Sequence, residues 1–323
     1  MQPPPSRPGL VRSCTLFGLL GLTLLSGSPL ESQVRDRAPL LLQLPLSTSA
    51  LAFGGAFPLA ERTSDAVFEH PGVVGRARGA EVGVQLWGEG ATGGTASGAF
   101  EWWGGAAALG VATLSHHLPP DRAPGEPLTL RSEDGLLGEG PSDGGEGVSE
   151  LAAVVGYGRE VAGIWAGATG SWVERRVEGR RSLTGAVDVG LADEIRGVFV
   201  GVAARNLGPG LDREGETLSL PWEVTPGASF SGRPVGPVDL GATAEVAFRA
   251  DGEAIPAGGI EVAWWPVVGR TFVGRVGFRR VPEGGGDEVG FGAAFYGDAF
   301  GLEYAYRGLA GSRATHRIGI RWR

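Results

Sequence analysis

The chain has 323 residues and 42% hydrophobic content, enough for a substantial fold of one or two domains. Glycine is the outlier at 58 residues; there is no Gly-X-Y period, which excludes collagen, and long apolar alternations exclude plain disorder. The formal charge is −8, and all 28 basic residues are arginines without a basic block, which argues against nucleic-acid binding.

Residues 1–33 read as a cleaved secretory signal peptide. Arg7 and Arg12 precede the apolar run Cys14 to Leu25, and the small residues Ser26 to Ser28 follow. The run is shorter than the roughly 20 apolar residues of a membrane-spanning helix. Cleavage is expected between Ser26 and Gln33. The only cysteine, Cys14, starts the run rather than following it, so a lipid anchor is rejected. The mature chain is expected to carry no disulfide or thiolate metal site.

Residues 34–79 show little period-2 alternation. Short helical pieces are broken at Gly54-Gly55, Pro58 and Pro71-Gly72. A segment of this kind beside a barrel is expected to enter the lumen as a plug. In the stretch Phe68 to Gly75, Glu69 and His70 read as parts of a turn rather than as a metal or catalytic pair. Pro71 fixes the backbone there, and Gly72 is expected to supply unusual dihedrals.

From residue 80 to 323 one pattern repeats. In Gly197 to Arg205, Val198, Val200, Val202 and Ala204 share one face; Phe199, Gly201, Ala203 and Arg205 share the other. Val289, Phe291, Ala293 and Phe295, and Phe300, Leu302, Tyr304 and Tyr306, repeat it. Strands are expected at 80–87, 95–103, 105–115, 148–158, 161–173, 183–193, 196–206, 222–231, 237–249, 257–265, 270–280, 287–296, 299–307 and 313–322. Strands of about ten residues can cross a bilayer when tilted. An even set of about fourteen suits a bacterial barrel. The fold expected is all-β: a closed antiparallel transmembrane β-barrel of about fourteen strands with a short N-terminal helical plug. Trp87, Trp102, Trp103, Trp172, Trp222, Trp264, Trp265 and Trp322 lie near strand ends and are expected in the aromatic girdles.

Glycines on the inner face leave room where a barrel is crowded. The Gly88-x-Gly90-x-x-Gly93 match joins two strands and opens no helix, so it is not a dinucleotide site. The inward row carries Glu81, Asp188, Arg205, Asp239, Glu245, Arg249, Glu261, Arg275, Arg279, Glu288, Glu303, Arg307, Arg317 and Arg321. These read first as carboxylate–guanidinium networks that hold up the interior, and second as the lining of a conduit. The acidic, Pro- and Gly-rich stretch 116–147 reads as an extracellular loop without calcium-loop spacing, and 205–222 as a second outside connection. His116 and His117 are adjacent and point opposite ways on a strand. His316 is expected at the lipid boundary. No Ser, His and carboxylate set converges, so no enzyme, cofactor or metal is expected.

The segment Ala50 to Val74 resembles the N-terminal signature of PorV/PorQ-type outer-membrane proteins, relatives of the FadL-type fatty-acid transporters. Gly54, Gly55, Ala56 and Phe57 match its first block, and Asp65, Ala66 and Phe68 its second. His70-Pro71-Gly72 stands where the family has Asn-Pro-Ala, and Trp322-Arg323 where it ends in an aromatic. Ala203 to Gly208, Leu220 to Phe230 and Ala314 to Trp322 also resemble family segments. The resemblance implies a plugged barrel in the outer membrane, inserted by the barrel-assembly machinery and surrounded by outer-membrane lipid. It further implies a part in type IX protein export, with secretion components or exported cargo as partners. The alternative it implies is a FadL-like channel for hydrophobic small molecules.

Overall fold

The structure, a computed structural model, describes residues 39–87, 90–118, 146–177, 180–213, 216–280, 287–308 and 314–322. The signal segment, Cys14, Gly88 and most of the 116–147 loop lie outside them. The strands are β1 (Gly79–Trp87), β2 (Ala91–Trp102), β3 (Gly105–Leu118), β4 (Glu146–Val161), β5 (Ile164–Val177), β6 (Arg180–Ile195), β7 (Val198–Leu207) and the short pair β8 (Leu211–Arg213) and β9 (Glu216–Leu218). They continue as β10 (Glu223–Val235), β11 (Val238–Arg249), β12 (Ala254–Val267), β13 (Arg270–Arg280), β14 (Asp287–Tyr296), β15 (Phe300–Gly308) and β16 (Ala314–Trp322).

Alternation dictates the architecture. In β1, Val82, Val84 and Leu86 are exposed while Glu81, Gln85 and Trp87 are buried. The same parity runs around the sheet. A strand that is apolar outward and polar inward is stable only with lipid on one side and a filled lumen on the other. Lipid also leaves no water for an open edge, so the sheet must close. It does: consecutive strands pair antiparallel, β10 follows β7, and β16 returns to β1 with Val82 opposite Ile320. The closed barrel has fourteen strands, and β8–β9 form a separate hairpin in the β7–β10 connection that alternation did not reveal. The architecture places the protein in a bacterial outer membrane.

The two rims differ. At one, Trp103-Gly104, Ala162-Gly163 and Arg196-Gly197 join strands through pairs of positive-φ residues, with φ 43° and 72°, 53° and 88°, and 54° and 80°. Consecutive left-handed residues make the tight hairpin turn whose twist matches the strands. The longer connections leave the opposite rim, the extracellular one in such barrels. β1 starts, and β16 ends, at the tight-turn rim.

Residues 39–78 fill the lumen. A 3-10 turn (Leu40–Leu42) leads to α1 (Thr48–Ala52), capped by the Ser47 side chain. α2 (Ala66–Glu69) and a second 3-10 turn (Pro71–Arg76) follow. These pieces are too short to persist alone in water; the barrel wall holds them.

The outer face corrects two expectations. Trp87 is buried in the lumen at 2% exposure rather than standing in a girdle. Trp222 lies before β10, half-buried, outside any strand. Trp102, Trp103, Trp172, Trp264, Trp265 and Trp322 are exposed, and Trp102 stacks on Trp103 at 5.0 Å.

Candidate functional site: the plugged lumen

The lumen has two unlike walls. Over β3 to β7 the inner face is largely apolar, with Leu114, Val148, Val154, Val173 and Phe199 buried. The plug residues Leu40, Leu41, Leu42, Leu44 and Leu46, with Leu59, Val67, Phe68, Val73 and Val74, join this wall in one buried cluster. Over β10 to β16 the inner face is ionic. The charged row read from sequence sits here for the most part, and the greasy half was not foreseen.

Glycines let the plug lie directly on the wall. A Cβ on Gly72 would stand 2.7 Å from the carbonyl carbon of Leu191, and one on Gly75 2.7 Å from that of Gly158. Gly190 and Gly158 present no side chain in return. Gly72 therefore serves by close approach within a 3-10 turn; it is not among the positive-φ glycines. The expectation of unusual dihedrals fits Gly54 and Gly55 instead, at φ 72° and 106°. There the chain leaves α1 and passes so close to β13 that a Gly54 Cβ would sit 2.3 Å from the Phe278 oxygen.

The other motif residues are buried. The Phe57 amide donates to Glu245 Oε2 at 3.5 Å, and its carbonyl accepts from Thr243 Oγ1 at 3.3 Å. Asp65 Oδ1 accepts a short bond from the Thr63 hydroxyl. The Phe68 carbonyl accepts from Arg205 Nη2 at 3.0 Å, while its ring enters the gap left by Gly110. Glu69 Oε1 accepts from the amides of Leu46 and Ser47 at 2.6 and 2.8 Å, tying two passes of the plug together. Burial pushes the Glu69 carboxyl up; Arg205 and these amides pull it back. His70 is buried with neither ring nitrogen hydrogen-bonded, beside Gly201 and Leu59. Burial, reinforced by Arg205, pushes it down to about 4, so it is neutral at pH 7. Glu69 thus ties two passes of the plug, while the His70 ring lies against β7 and Leu59.

On the ionic wall the central member is one that sequence reasoning missed. Glu61, from the plug, lies 3.0 Å from Arg275 and 3.3 Å from Arg321. Arg275 also pairs with Glu261 at 2.9 Å, and Arg321 with Glu81 at 3.2 Å and Glu303 at 2.8 Å. Tyr296 donates to Glu303 at 2.5 Å and accepts from Arg275 at 3.0 Å. Burial outweighs the two arginines and pushes Glu61 up to about 7. Arg317 instead donates to neutral oxygens of Thr48, Gln85 and Thr95, latching α1 to β1 and β2.

Nearer the extracellular rim, Arg205 pairs with Glu223 at 3.2 Å, and Arg249 with Glu223 at 3.8 Å. Arg307 pairs with Glu288 at 3.5 Å. Asp188 accepts from Thr169 and from the Asn206 amide. Asn206 Nδ2 donates to the carbonyls of Leu42 and Pro221, a second plug tie that the sequence hid. A third is Glu150, which accepts from the Leu41 amide at 2.9 Å beside Arg175. Arg279 lines a small cavity with Glu245, Glu69 and Gly55. The cavity is about 30 Å³, room for a water or two. Asp239 lies half-buried near the tight-turn rim. Among the described residues no group of His, Cys, Asp and Glu converges as a metal site. His116 is buried inside, and His316 faces outward with Nδ1 2.8 Å from the Tyr304 hydroxyl.

The Pseudomonas putida toluene transporter TodX aligns with TM-score 0.56 at 10% identity, over 84% of this chain and 95% of that one. The CymD monoaromatic hydrocarbon channel aligns with TM-score 0.56 at 10% identity, over 86% of this chain and 96% of that one. The chain shares its closed-barrel fold with these two proteins. The Ralstonia pickettii toluene transporter TbuX extends the likeness, with TM-score 0.54 at 12% identity over 86% and 97%. No protein-family model and no curated protein matches the sequence. At these identities the likeness fixes architecture and leaves substrate open.

Proposed function

We propose that this FadL-like barrel is a gated channel that passes hydrophobic small molecules across the outer membrane. The observation that carries the reading is the apolar inner wall of β3 to β7, covered by the plug's leucines and valines. A purely structural interior could be ionic all round, like the opposite wall. A greasy strip running under a removable cover supplies a path for an apolar solute once the plug shifts. The similar structures named toluene transporters and a monoaromatic hydrocarbon channel support this class of solute.

The test is uptake of radiolabelled toluene by cells that lack their own outer-membrane hydrocarbon channel. Cells displaying the barrel should take up toluene several-fold faster than cells with an empty vector. Equal uptake, with the barrel present and heat-modifiable on gels, overturns the reading. Protein export of PorV/PorQ type is a second reading that rests on the sequence resemblance, chiefly the Gly54 to Gly72 motif. It predicts secretion components co-purifying from native membranes.

A further inference from the structure

Outside the lumen, one surface feature departs from the rest of the wall. The β5–β6 hairpin end reads Val-Glu-Arg-Arg-Val-Glu-Gly-Arg-Arg (173–181), four arginines against two glutamates in a chain of charge −8. Arg175 turns inward to Glu150. Arg176 and Arg181 point outward and stand directly opposite each other in the ladder. Their side chains are 60% and 61% exposed. Two like charges in that position repel. At the same end of β13–β14 the equivalent position pairs Arg280 with Asp287, opposite signs.

Glu174, one outward step lower, organises the two arginines. It holds Arg176 Nε at 2.5 Å and Arg181 Nη2 at 2.6 Å while only 12% exposed itself. Each guanidinium keeps donors aimed at solvent, and the group carries a net positive charge. On the far side of Arg176, the exposed Ser149 is its ladder partner from β4. Ser149, Arg176 and Arg181 therefore form one level row of donors.

Depth identifies what this row meets. Below it on β6, Leu183, Val187, Val189 and Leu191 face outward and exposed, ending at Asp193. From Arg181 to Asp193 is roughly 30 Å along the barrel axis, at ~3.3 Å per residue and ~40° tilt. That matches a hydrocarbon core, so the arginines stand at the extracellular membrane–water boundary. Two outward steps below Arg176 is Trp172, 64% exposed. Its ladder neighbours are the small Ala153 and Gly185, leaving its ring uncovered. An uncovered ring at acyl depth beneath paired guanidiniums fits a lipid whose head carries phosphate.

We propose that Ser149, Arg176 and Arg181 seat the phosphate of an outer-leaflet lipid, with Trp172 packing its acyl portion. The proposal stands apart from the channel reading and does not depend on it. Native mass spectrometry of the purified barrel tests it, with lipid A, chemically dephosphorylated lipid A and inorganic phosphate as probes. Wild type should retain lipid A, and the Arg176→Gln/Arg181→Gln double variant should retain it about thirty-fold less. Dephosphorylated lipid A should bind wild type no better than lipid A binds the variant. Millimolar inorganic phosphate should not displace the lipid. Equal retention of both lipids by wild type, or no loss in the double variant, overturns the proposal. So does displacement by phosphate, which would make the seat one for a free anion. Heat-modifiable gel mobility checks that the variant is folded. Ser149→Asp, which leaves both arginines in place and adds a carboxylate to the row, should weaken retention in the same direction.

Discussion

Gly72 and His70 show how single side chains, or their absence, seat the plug. A Cβ at Gly72 collides with the backbone of β6 rather than with a movable side chain. Gly72→Val should therefore lower barrel stability by about 1–3 kcal/mol, read from urea titration of the heat-modifiable band. Gly98→Ala is the matched control, because nothing lies within 4 Å of its added carbon. His70 makes the plug sensitive to acid. Free histidine titrates near 6.5, and burial holds His70 at about 4. The undocked plug thus binds the proton more readily between these values. Docking stability from His70 is full above pH 6.5 and declines as pH falls toward 4. Glu61 works in the opposite sense, since burial raises it from 4.5 to about 7 and ionisation weakens docking as pH rises through that range. A single variant isolates the histidine's part. Protease nicking of the plug should increase on acidification in wild type relative to His70→Phe, and the difference should vanish above pH 7. An identical pH profile in both proteins would contradict a buried neutral histidine.

At the level of elements, the plug is held by two kinds of wall and should respond differently to damage on each side. Val74 is fully buried against the apolar strands. A carboxylate there would sit in the apolar cluster, and burying it unpaired costs several kcal/mol unless the segment leaves. Val74→Asp should expel the second 3-10 turn and convert a closed barrel into one with steady conductance in planar bilayers. Wild-type bilayers, with the lumen filled, should stay near baseline. How legible the elements were depended on what enforces them. The strands could be read because lipid imposes a strict period of two on every outward position, and β1, β13 and β15 show it. Trp87 misled because a tryptophan at a strand end suggests a girdle; its parity with Glu81 and Gln85 carried the correct inward assignment. The plug's own ties, through Glu61, Glu150 and Asn206, were not legible. The plug has no repeating period, and its partners lie more than a hundred residues away along the chain.

The whole molecule is a barrel whose interior is divided lengthwise, greasy along β3 to β7 and ionic along β10 to β16, with one segment packed against both. In the proposed channel the ionic wall anchors the plug, and the apolar wall becomes a path when the plug moves. On that proposal transport depends on displacement of residues 39–78 rather than on a standing pore. Ser64 in the plug and Ser97 in β2 place their hydroxyl oxygens 2.8 Å apart, and the chain's only cysteine is Cys14. A Ser64→Cys/Ser97→Cys pair can therefore fasten the plug to the wall by one unambiguous disulfide. The decisive measurement is toluene uptake by cells carrying that pair, oxidised and then reduced. Uptake should fall to the empty-vector level when the disulfide is formed and return to the wild-type rate on reduction. Uptake that is the same in both states, with the disulfide verified, would contradict a channel gated by its plug.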